Sequence, residues 1–443
     1  MLDQTFKIIE ITNWGLAGIL LVFLLPLIVR YPEVSMALLA TIHFVFTGIR
    51  FPFSWLINYV TAMTGLSLLI YVFENRFQNQ SKRCLSEPLL WLVLVFTGWK
   101  ILTYLAFGAS DPFNLGGIDI RRELAYDVIP FLGIMVMAND KRRIHRFVDW
   151  LCIGVGLGMV LFCISFIDVS MVAQYPPILW RSLVNVFGFG VVSFAIYATT
   201  GAVLGIVWLA GSPPRTFARR AAPVFTTACI FMILLTGNRT VVVCAPVAVA
   251  YCVWKKHNRG RNVWLWGALV AFITFVGFLL IPGGTDLFSV IGGRFKLTIA
   301  DPWASSSRFE VWQYAMGRFL ESPLIGVGTG GGGPIMSGWD VLNPFGARAF
   351  YYRMAVHNYY LQILVEQGLV GSISIMLILF MVFHAARTGT NNPSMNRTHD
   401  LHLIAVSMLI YGLLGGIVGG GAPLYWEMGL VWVAHVWARE GNQ

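Results

Sequence analysis

Apolar segments close to the length needed to cross a bilayer recur along the whole chain. They fall roughly at 12–29, 34–49, 51–73, 88–107, 125–138, 147–168, 187–211, 221–236, 240–254, 262–281, 358–384, 401–419 and 422–437. A helix needs about 20 apolar residues to span a hydrocarbon core, and several of these segments are shorter. An outer-membrane barrel would instead show short alternating strands. The pattern predicts an all-α, polytopic integral membrane protein with about twelve transmembrane helices.

The composition agrees with this class. Of the 443 residues, 57% are apolar and only 12% are charged, about half of the roughly 25% that is usual in soluble domains. These values exclude a disordered chain and an ordinary cytosolic enzyme. The six cysteines lie in or beside apolar segments, so we expect no disulfide framework.

Clusters of basic residues in the short loops orient the helices. They lie at 76–83, 141–143, 215–220 and 255–261. Because basic residues in short loops mark the cytoplasmic side, we place all four clusters in the cytoplasm. The break at 236–239, the long hydrophilic loop at 282–356 and His357 then face the opposite, extracytoplasmic side.

The long loop divides the chain into three predicted parts. Residues 1–281 form the N-terminal transmembrane helices, residues 282–356 form the loop with a helix of the active site, and residues 357–443 form the C-terminal transmembrane helices. Loops longer than about 15 residues are usually functional or disordered. This loop has the features of an ordered segment.

A helix is predicted within the long loop, over 307–320. Ser307 and Glu310 have the spacing of a capping box. Large apolar side chains follow at helical period, at Phe309, Trp312, Met316, Phe319 and Leu320. We expect an amphipathic helix that lies on the membrane surface or against the helical bundle.

A run of glycines from Gly326 to Pro334 follows this helix. It is a candidate phosphate cradle, but it lacks the Gly-Lys-Ser/Thr ending of a P-loop and stands in no βαβ unit. Two interpretations remain. The favoured one is a turn that lets the backbone pass close to helices, and the other is a backbone nest for an anionic group, with Gly328 and Gly330 binding substrate.

Polar residues form a stripe where the loop re-enters the membrane. His357 lies at this interface, and Asn358, Gln362 and Glu366 recur every four residues on one helix face. Ionisable residues within a span are costly and indicate function. Alternatively, Gln362 and Glu366 bond neighbouring helices and hold the bundle together.

Two arginines could bind an anion. Arg239 stands between short apolar segments, where a guanidinium needs an anionic ligand or a carboxylate as its partner. Arg308 opens the loop helix and by itself would be an ordinary surface charge. The sequence contains no HExxH, CxxC or Asp-x-Asp motif, so we expect neither a metal nor another cofactor.

Three motifs, in this order, resemble the signature of the O-antigen ligase and polymerase superfamily. They are Gly237-Asn238-Arg239-Thr240; Ser307-Arg308 with Trp312, followed by Pro323-Leu324-Ile325-Gly326-Val327-Gly328-x-Gly330; and His357-Asn358-x-Tyr360-Leu361-Gln362-x3-Glu366-x-Gly368-x2-Gly371. The resemblance covers roughly 236–371. Asn238 stands where the family often has serine, at a helper position beside the arginine.

The resemblance implies a multi-pass glycosyltransferase of the bacterial inner membrane, GT-C-like, with its active site facing the periplasm. The donor would be a glycan on undecaprenyl pyrophosphate. The acceptor would be a sugar hydroxyl of the lipid A–core oligosaccharide in lipopolysaccharide biosynthesis. Membrane lipids would surround the protein, and no nucleic acid would take part. Alternatives are an O-antigen polymerase, a protein O-oligosaccharyltransferase and a transporter of lipid-linked glycans.

The resemblance also implies roles for individual residues. His357 would be the general base that deprotonates the acceptor hydroxyl. Arg239 and Arg308 would be catalytic as well, binding the donor pyrophosphate and stabilising its growing charge. Further substrate-binding candidates are Asn238, Asn358, Glu366, Gly328 and Gly330. Direct displacement by the acceptor predicts inversion at the anomeric carbon.

Overall fold

The structure is a computed structural model, and it describes part of the chain. The described residues are 30–46, 53–75, 87–112, 116–167, 191–210, 225–230, 233, 239–257, 308–340, 348–353, 355–388, 396–418 and 425–440. The predicted spans at 12–29 and 262–281, the start of the long loop, and residues 236–238 lie outside this set.

The described residues are mainly helical, as the sequence predicts. The helices are α1 (Pro32–Phe46), α2 (Phe53–Asn75), α3 (Pro88–Thr103), α4 (Gly116–Glu123), α5 (Ile129–Val136), α6 (Lys141–Ile167), α7 (Val191–Ala210), α8 (Arg239–His257), α9 (Arg308–Glu321), α10 (Tyr359–Thr388), α11 (Asn396–Val418) and α12 (Tyr425–Glu440). A π-helical turn, Tyr104–Gly108, extends α3.

Three described segments are long and apolar enough to cross a membrane: Pro88–Gly108, Tyr359–Thr388 and His399–Ile417. They coincide with predicted spans at 88–107, 358–384 and 401–419. These candidate spans agree with the predicted all-α membrane protein. The total of about twelve spans stays a prediction.

The chain forms two compact units. The first consists of Met1–Ser86 and Ala125–Tyr197, and the second of Glu87–Leu124 and Ala198–Gln443. In the first unit α1 packs against α6, and the buried Glu33 carboxylate accepts a hydrogen bond from Arg143 at 2.9 Å. The second unit contains the described residues of the candidate site. The three-part division predicted along the chain remains untested.

The start of α10 is fixed by its cap and by α11. Asn358 is the N-cap, and its Oδ1 accepts a hydrogen bond from the Leu361 amide at 3.0 Å. Its Nδ2 donates to the carbonyl of Ile417, and the Tyr360 hydroxyl donates to the carbonyl of Leu413. The residue just before the cap, His357, therefore adjoins a well-anchored helix end.

The helix predicted in the long loop is present as α9, which ends at Glu321, one residue beyond the prediction. Its described part begins at Arg308, and the cap candidate Ser307 lies outside the described residues. Its buried face is formed by Val311 and Ala315, with Trp312 and Phe319 partly buried beside them. This face packs on Val356 and Val365, so the helix lies against the bundle.

Other members of the predicted apolar stripe lie outside this buried face. Phe309, Met316 and Leu320 are exposed, Leu320 to 74%. The small side chain of Ala315 is buried against Val356 and Val365. A search for large apolar residues at helical period does not identify it.

A two-stranded antiparallel hairpin adds to the all-α prediction. Strand β1 (Ile335–Asp340) pairs with β2 (Arg348–Arg353), with Ile335 opposite Arg353 and Asp340 opposite Arg348. The hairpin follows the glycine-rich segment and ends four residues before His357. The sequence analysis predicts no strand here.

Candidate active site

The backbone of α10 is broken at Gly368, and the glycine-rich segment crosses it there. Gly368 has φ 64° and ψ −166°, in the left-handed half of backbone space. The break leaves backbone groups of α10 without helical partners, and residues 323–328 pair with them. Four hydrogen bonds join the two segments: Val327 N to Val365 O at 3.0 Å, Gly328 N to Glu366 O at 3.0 Å, Leu369 N to Pro323 O at 2.9 Å, and Val370 N to Leu324 O at 3.2 Å.

Glycine is required at this crossing because the two backbones nearly touch. A Cβ at Gly326 would lie 2.6 Å from the nitrogen of Gln367, and a Cβ at Gly368 would lie 2.6 Å from the nitrogen of Gly326. The geometry favours the turn interpretation of the glycines. The amide of Gly328 is used in the crossing, and Gly330 has φ 80°. The substrate-binding roles of both residues stay predictions.

A buried polar network beneath the crossing was not predicted. Thr103 Oγ1 donates to Gln367 Oε1 at 2.8 Å, and Gln367 Nε2 donates to Thr329 Oγ1 at 2.7 Å. Thr329 Oγ1 in turn donates to the carbonyl of Lys100 at 3.0 Å, and Trp99 Nε1 donates to the carbonyl of Gln367 at 3.1 Å. The network fixes α3 to both the glycine-rich segment and the break. The sequence signal for this network is a polar residue, Gln367, next to a glycine, Gly368, inside an apolar segment.

His357 is held in an unusual backbone conformation between two anchored residues. Its φ is 57°, which is uncommon for a residue with a side chain and indicates local strain. On one side, the Trp312 Nε1 of α9 donates to the carbonyl of Val356 at 3.0 Å. On the other side stands the N-cap Asn358. Such strain persists only when the surroundings determine the conformation, as they do here.

The charge of Arg308 acts on the imidazole of His357. Burial of the imidazole and then the positive charge of Arg308 lower the pKa of His357 below its usual 6.5. The histidine is therefore neutral at pH 7 and has a free lone pair to accept a proton. Both side chains are half-buried.

The second predicted arginine lies at the start of a helix. Arg239 is the first residue of α8, and its side chain, like the whole of Asn238, lies outside the described part. That Arg239 faces the same side as His357, and that it binds the donor together with Arg308, stays a prediction.

Two residues of the predicted polar stripe of α10 are hydrogen-bonded to each other. Glu366 is 4% exposed, and its Oε1 accepts a hydrogen bond from Gln362 Nε2 at 3.1 Å. A Cβ at Gly332 would lie 3.2 Å from Glu366 Cγ, so the carboxylate lies beside the glycine-rich segment. This contact favours a role in holding the crossing, and the role in substrate binding remains a hypothesis.

Arg353 is a charged residue of the site that the sequence analysis did not single out. It ends β2 and pairs with Asp111, which follows the extension of α3. Among the described residues, no three His, Cys, Asp or Glu side chains are grouped so that they could hold a metal ion.

These elements place a strained histidine, under the influence of the charge of Arg308, at the start of a helix that is long and apolar enough to cross a membrane. Residues 224–376 match the family model described as O-Antigen ligase, which confirms the resemblance predicted from the three motifs. The matched region contains Arg239, Arg308 and His357. Members of this family are glycosyltransferase-like enzymes of lipopolysaccharide biosynthesis. No curated protein matches the chain.

Proposed function

We propose that the protein is an O-antigen ligase. It transfers a glycan from undecaprenyl pyrophosphate to a sugar hydroxyl of lipid A–core on the periplasmic face of the inner membrane. The observation that carries this proposal is the strained, half-buried His357, held between Val356 and Asn358 at the start of a helix long and apolar enough to cross a membrane, where the charge of Arg308 acts on its imidazole. The family match over both residues supports it.

In the proposed reaction His357 accepts the proton of the acceptor hydroxyl. The hydroxyl oxygen attacks the anomeric carbon as the bond between that carbon and the diphosphate oxygen breaks. The bonding electron pair leaves with the diphosphate, whose added charge Arg308 and Arg239 stabilise. The configuration at the anomeric carbon is inverted. General base assistance of this kind contributes about 10²–10⁴ in rate.

The position of Arg308 serves both parts of this reaction. Without donor, its charge helps to keep His357 neutral. A bound diphosphate offsets that charge, so the imidazole becomes a stronger base once the donor is in place. The same guanidinium therefore couples donor binding to activation of the acceptor.

The test is a reconstituted transfer reaction. Purified protein receives undecaprenyl-pyrophosphate glycan and lipid A–core, with EDTA present. We expect wild type to make a ladder on lipid A–core and His357→Ala to make none. His384→Ala is the matched control, because His384 is an exposed histidine near the other end of the same helix, and it should retain full activity.

Other products would identify the alternatives. Longer chains on the lipid carrier, with no transfer to lipid A–core, would show a polymerase. Transfer to a protein acceptor would show an oligosaccharyltransferase. Movement of the lipid-linked glycan across vesicles, lost in His357→Ala and without any transfer, would show a transporter. Activity that EDTA removes and Mg²⁺ restores would contradict the metal-free mechanism.

A further inference from the structure

A sheltered ion pair lies four residues before His357. The Arg353 Nε donates to the carboxylate of Asp111, and the two side chains are only 13% and 19% exposed. Burial by itself would lower the pKa of Arg353, but the hydrogen bonds with Asp111 and Tyr314 outweigh it and raise that pKa. The guanidinium of Arg353 is therefore fully charged at neutral pH.

Arg353 joins parts of the second unit that are far apart in the sequence. Besides Asp111, its Nη1 donates to the carbonyl of Gly333 at 3.1 Å and makes a longer contact with the Tyr314 hydroxyl at 3.4 Å. One guanidinium thus connects β2, the glycine-rich segment, α9 and the turn after α3. A planar guanidinium with five donors suits such a junction, whereas a single ammonium group does not.

The segment that Arg353 anchors leads directly into the strained histidine. Residues 354–356 separate the two, and Val356 is fully buried, with its carbonyl bonded by Trp312. Because His357 has φ 57°, the chain left to itself would relax to another conformation. Anchors at 353, 356 and 358 together prevent that relaxation.

We propose that the Arg353–Asp111 pair positions His357 for proton transfer and does not itself bind the donor. This inference rests on the proposed function, since it assigns the pair to the general base of that reaction. The carboxylate of Asp111 already offsets the charge of Arg353, so the guanidinium is not the one that meets the diphosphate. A misplacement of about 1 Å at a reacting group can cost about 10²-fold in rate.

The experiment compares Asp111→Asn, Arg353→Lys and the double variant Asp111→Arg/Arg353→Asp with wild type, in the full-length protein. We expect Asp111→Asn to lower kcat about 10²-fold with an unchanged KM for the lipid-linked donor. We expect Arg353→Lys to keep only part of the activity, and the double variant to recover part of the loss. Glu321→Gln is the control, because it removes the exposed ion pair between Arg318 and Glu321 on α9 and should leave kcat unchanged.

A second readout follows His357 without glycan transfer. Diethyl pyrocarbonate modifies accessible neutral imidazoles, and peptide mass spectrometry reports the rate at His357 alone. We expect faster modification in Asp111→Asn, because the histidine leaves its half-buried position, and a wild-type rate in Glu321→Gln. The double variant should return toward the wild-type rate, which keeps the test valid if a single variant folds poorly.

Three results would overturn the inference, and a fourth separates it from the proposed function. A raised KM with unchanged kcat would show that Arg353 binds substrate. A lower melting temperature with unchanged kcat and unchanged modification of His357 would show a purely structural pair. If wild type transfers no glycan but Asp111→Asn still accelerates modification of His357, the proposed function fails and the positioning of His357 stands. If wild type is active and the modification rate does not respond, the positioning role alone fails.

Discussion

Replacement of Gly368 by alanine should disrupt the crossing on which the candidate site rests. Gly368 has φ 64° and ψ −166°, a region that is essentially restricted to glycine. A Cβ there would also lie 2.6 Å from the nitrogen of Gly326 and closer still to the carbonyl of Leu324. Both obstacles are backbone atoms, so no side-chain rotation can remove them.

The magnitude follows from the two effects. Holding alanine in this backbone conformation costs about 1–3 kcal/mol. Relief of the overlap requires the two segments to separate, and each of the four hydrogen bonds between them contributes about 0.5–1.5 kcal/mol. If two are lost, the free energy of unfolding should fall by about 2–6 kcal/mol in all.

Gly317→Ala is the matched control for this experiment. Gly317 lies within α9 with no atom within 4 Å of an added Cβ, so alanine should stabilise the helix by about 0.5–1 kcal/mol. Unfolding would be followed by denaturation in mixed detergent micelles, and glycan transfer would be measured on the same samples. We expect Gly368→Ala to lose both stability and activity and Gly317→Ala to lose neither.

The reasoning would be refuted if Gly368→Ala unfolded at the same denaturant concentration as wild type and transferred glycan at the wild-type rate. That outcome would mean that the helix break and the crossing of the glycine-rich segment do not form in solution. A loss of stability in Gly317→Ala of the same size would also refute it, because the effect would then not depend on the close backbone approach.

Three further predictions concern the chemistry of the site. Arg308→Gln removes a charge that lowers the pKa of His357, so that pKa should rise. The acidic limb of residual kcat/KM, where activity falls as the imidazole is protonated, should therefore move to higher pH. An unmoved limb would show that the charge of Arg308 does not act on His357. Arg239→Lys and Arg308→Lys should each lower kcat by about tenfold or more, because a point charge cannot reproduce bidentate phosphate contact. Near-normal turnover in both variants would contradict the binding of the donor diphosphate by these two arginines. Trp312→Phe keeps an aromatic ring but loses the hydrogen bond to the Val356 carbonyl. The kcat should fall by about two- to tenfold while the KM for the donor stays constant. A change in KM alone would contradict a role of Trp312 in positioning His357.

Properties that depend on neighbouring residues could be predicted from the sequence. The three described spans were located within a few residues, because the length of an apolar segment is a local property. The bounds of α9 were predicted to within one residue, since its apolar period and the Glu321-Ser322-Pro323 stop are also local. The three motifs led to the family that the match over 224–376 then supported.

Other features escaped prediction because they depend on segments far apart in the chain. Asp111 and Arg353 are separated by 242 positions, and neither has a local pattern that marks it as a partner. The buried face of α9 is set by Ala315 against Val356 and Val365, and a count of large apolar side chains does not identify Ala315. The two strands of the hairpin are short, and they are stabilised by pairing with each other, which no pattern within either strand reveals.

The sequence by itself determined a chain of helices, some of them long and apolar enough to cross a membrane, and it supplied one candidate base and two candidate guanidinium groups, because hydrophobic length and motif spacing are written in consecutive residues. Only the tertiary structure decided that α10 breaks at Gly368, that residues 323–328 fill the break, and that His357 is strained and subject to the charge of Arg308. The physical reason is that backbone groups freed within a helix must find partners. Those partners come from a segment about 40 residues earlier, which no local pattern can identify.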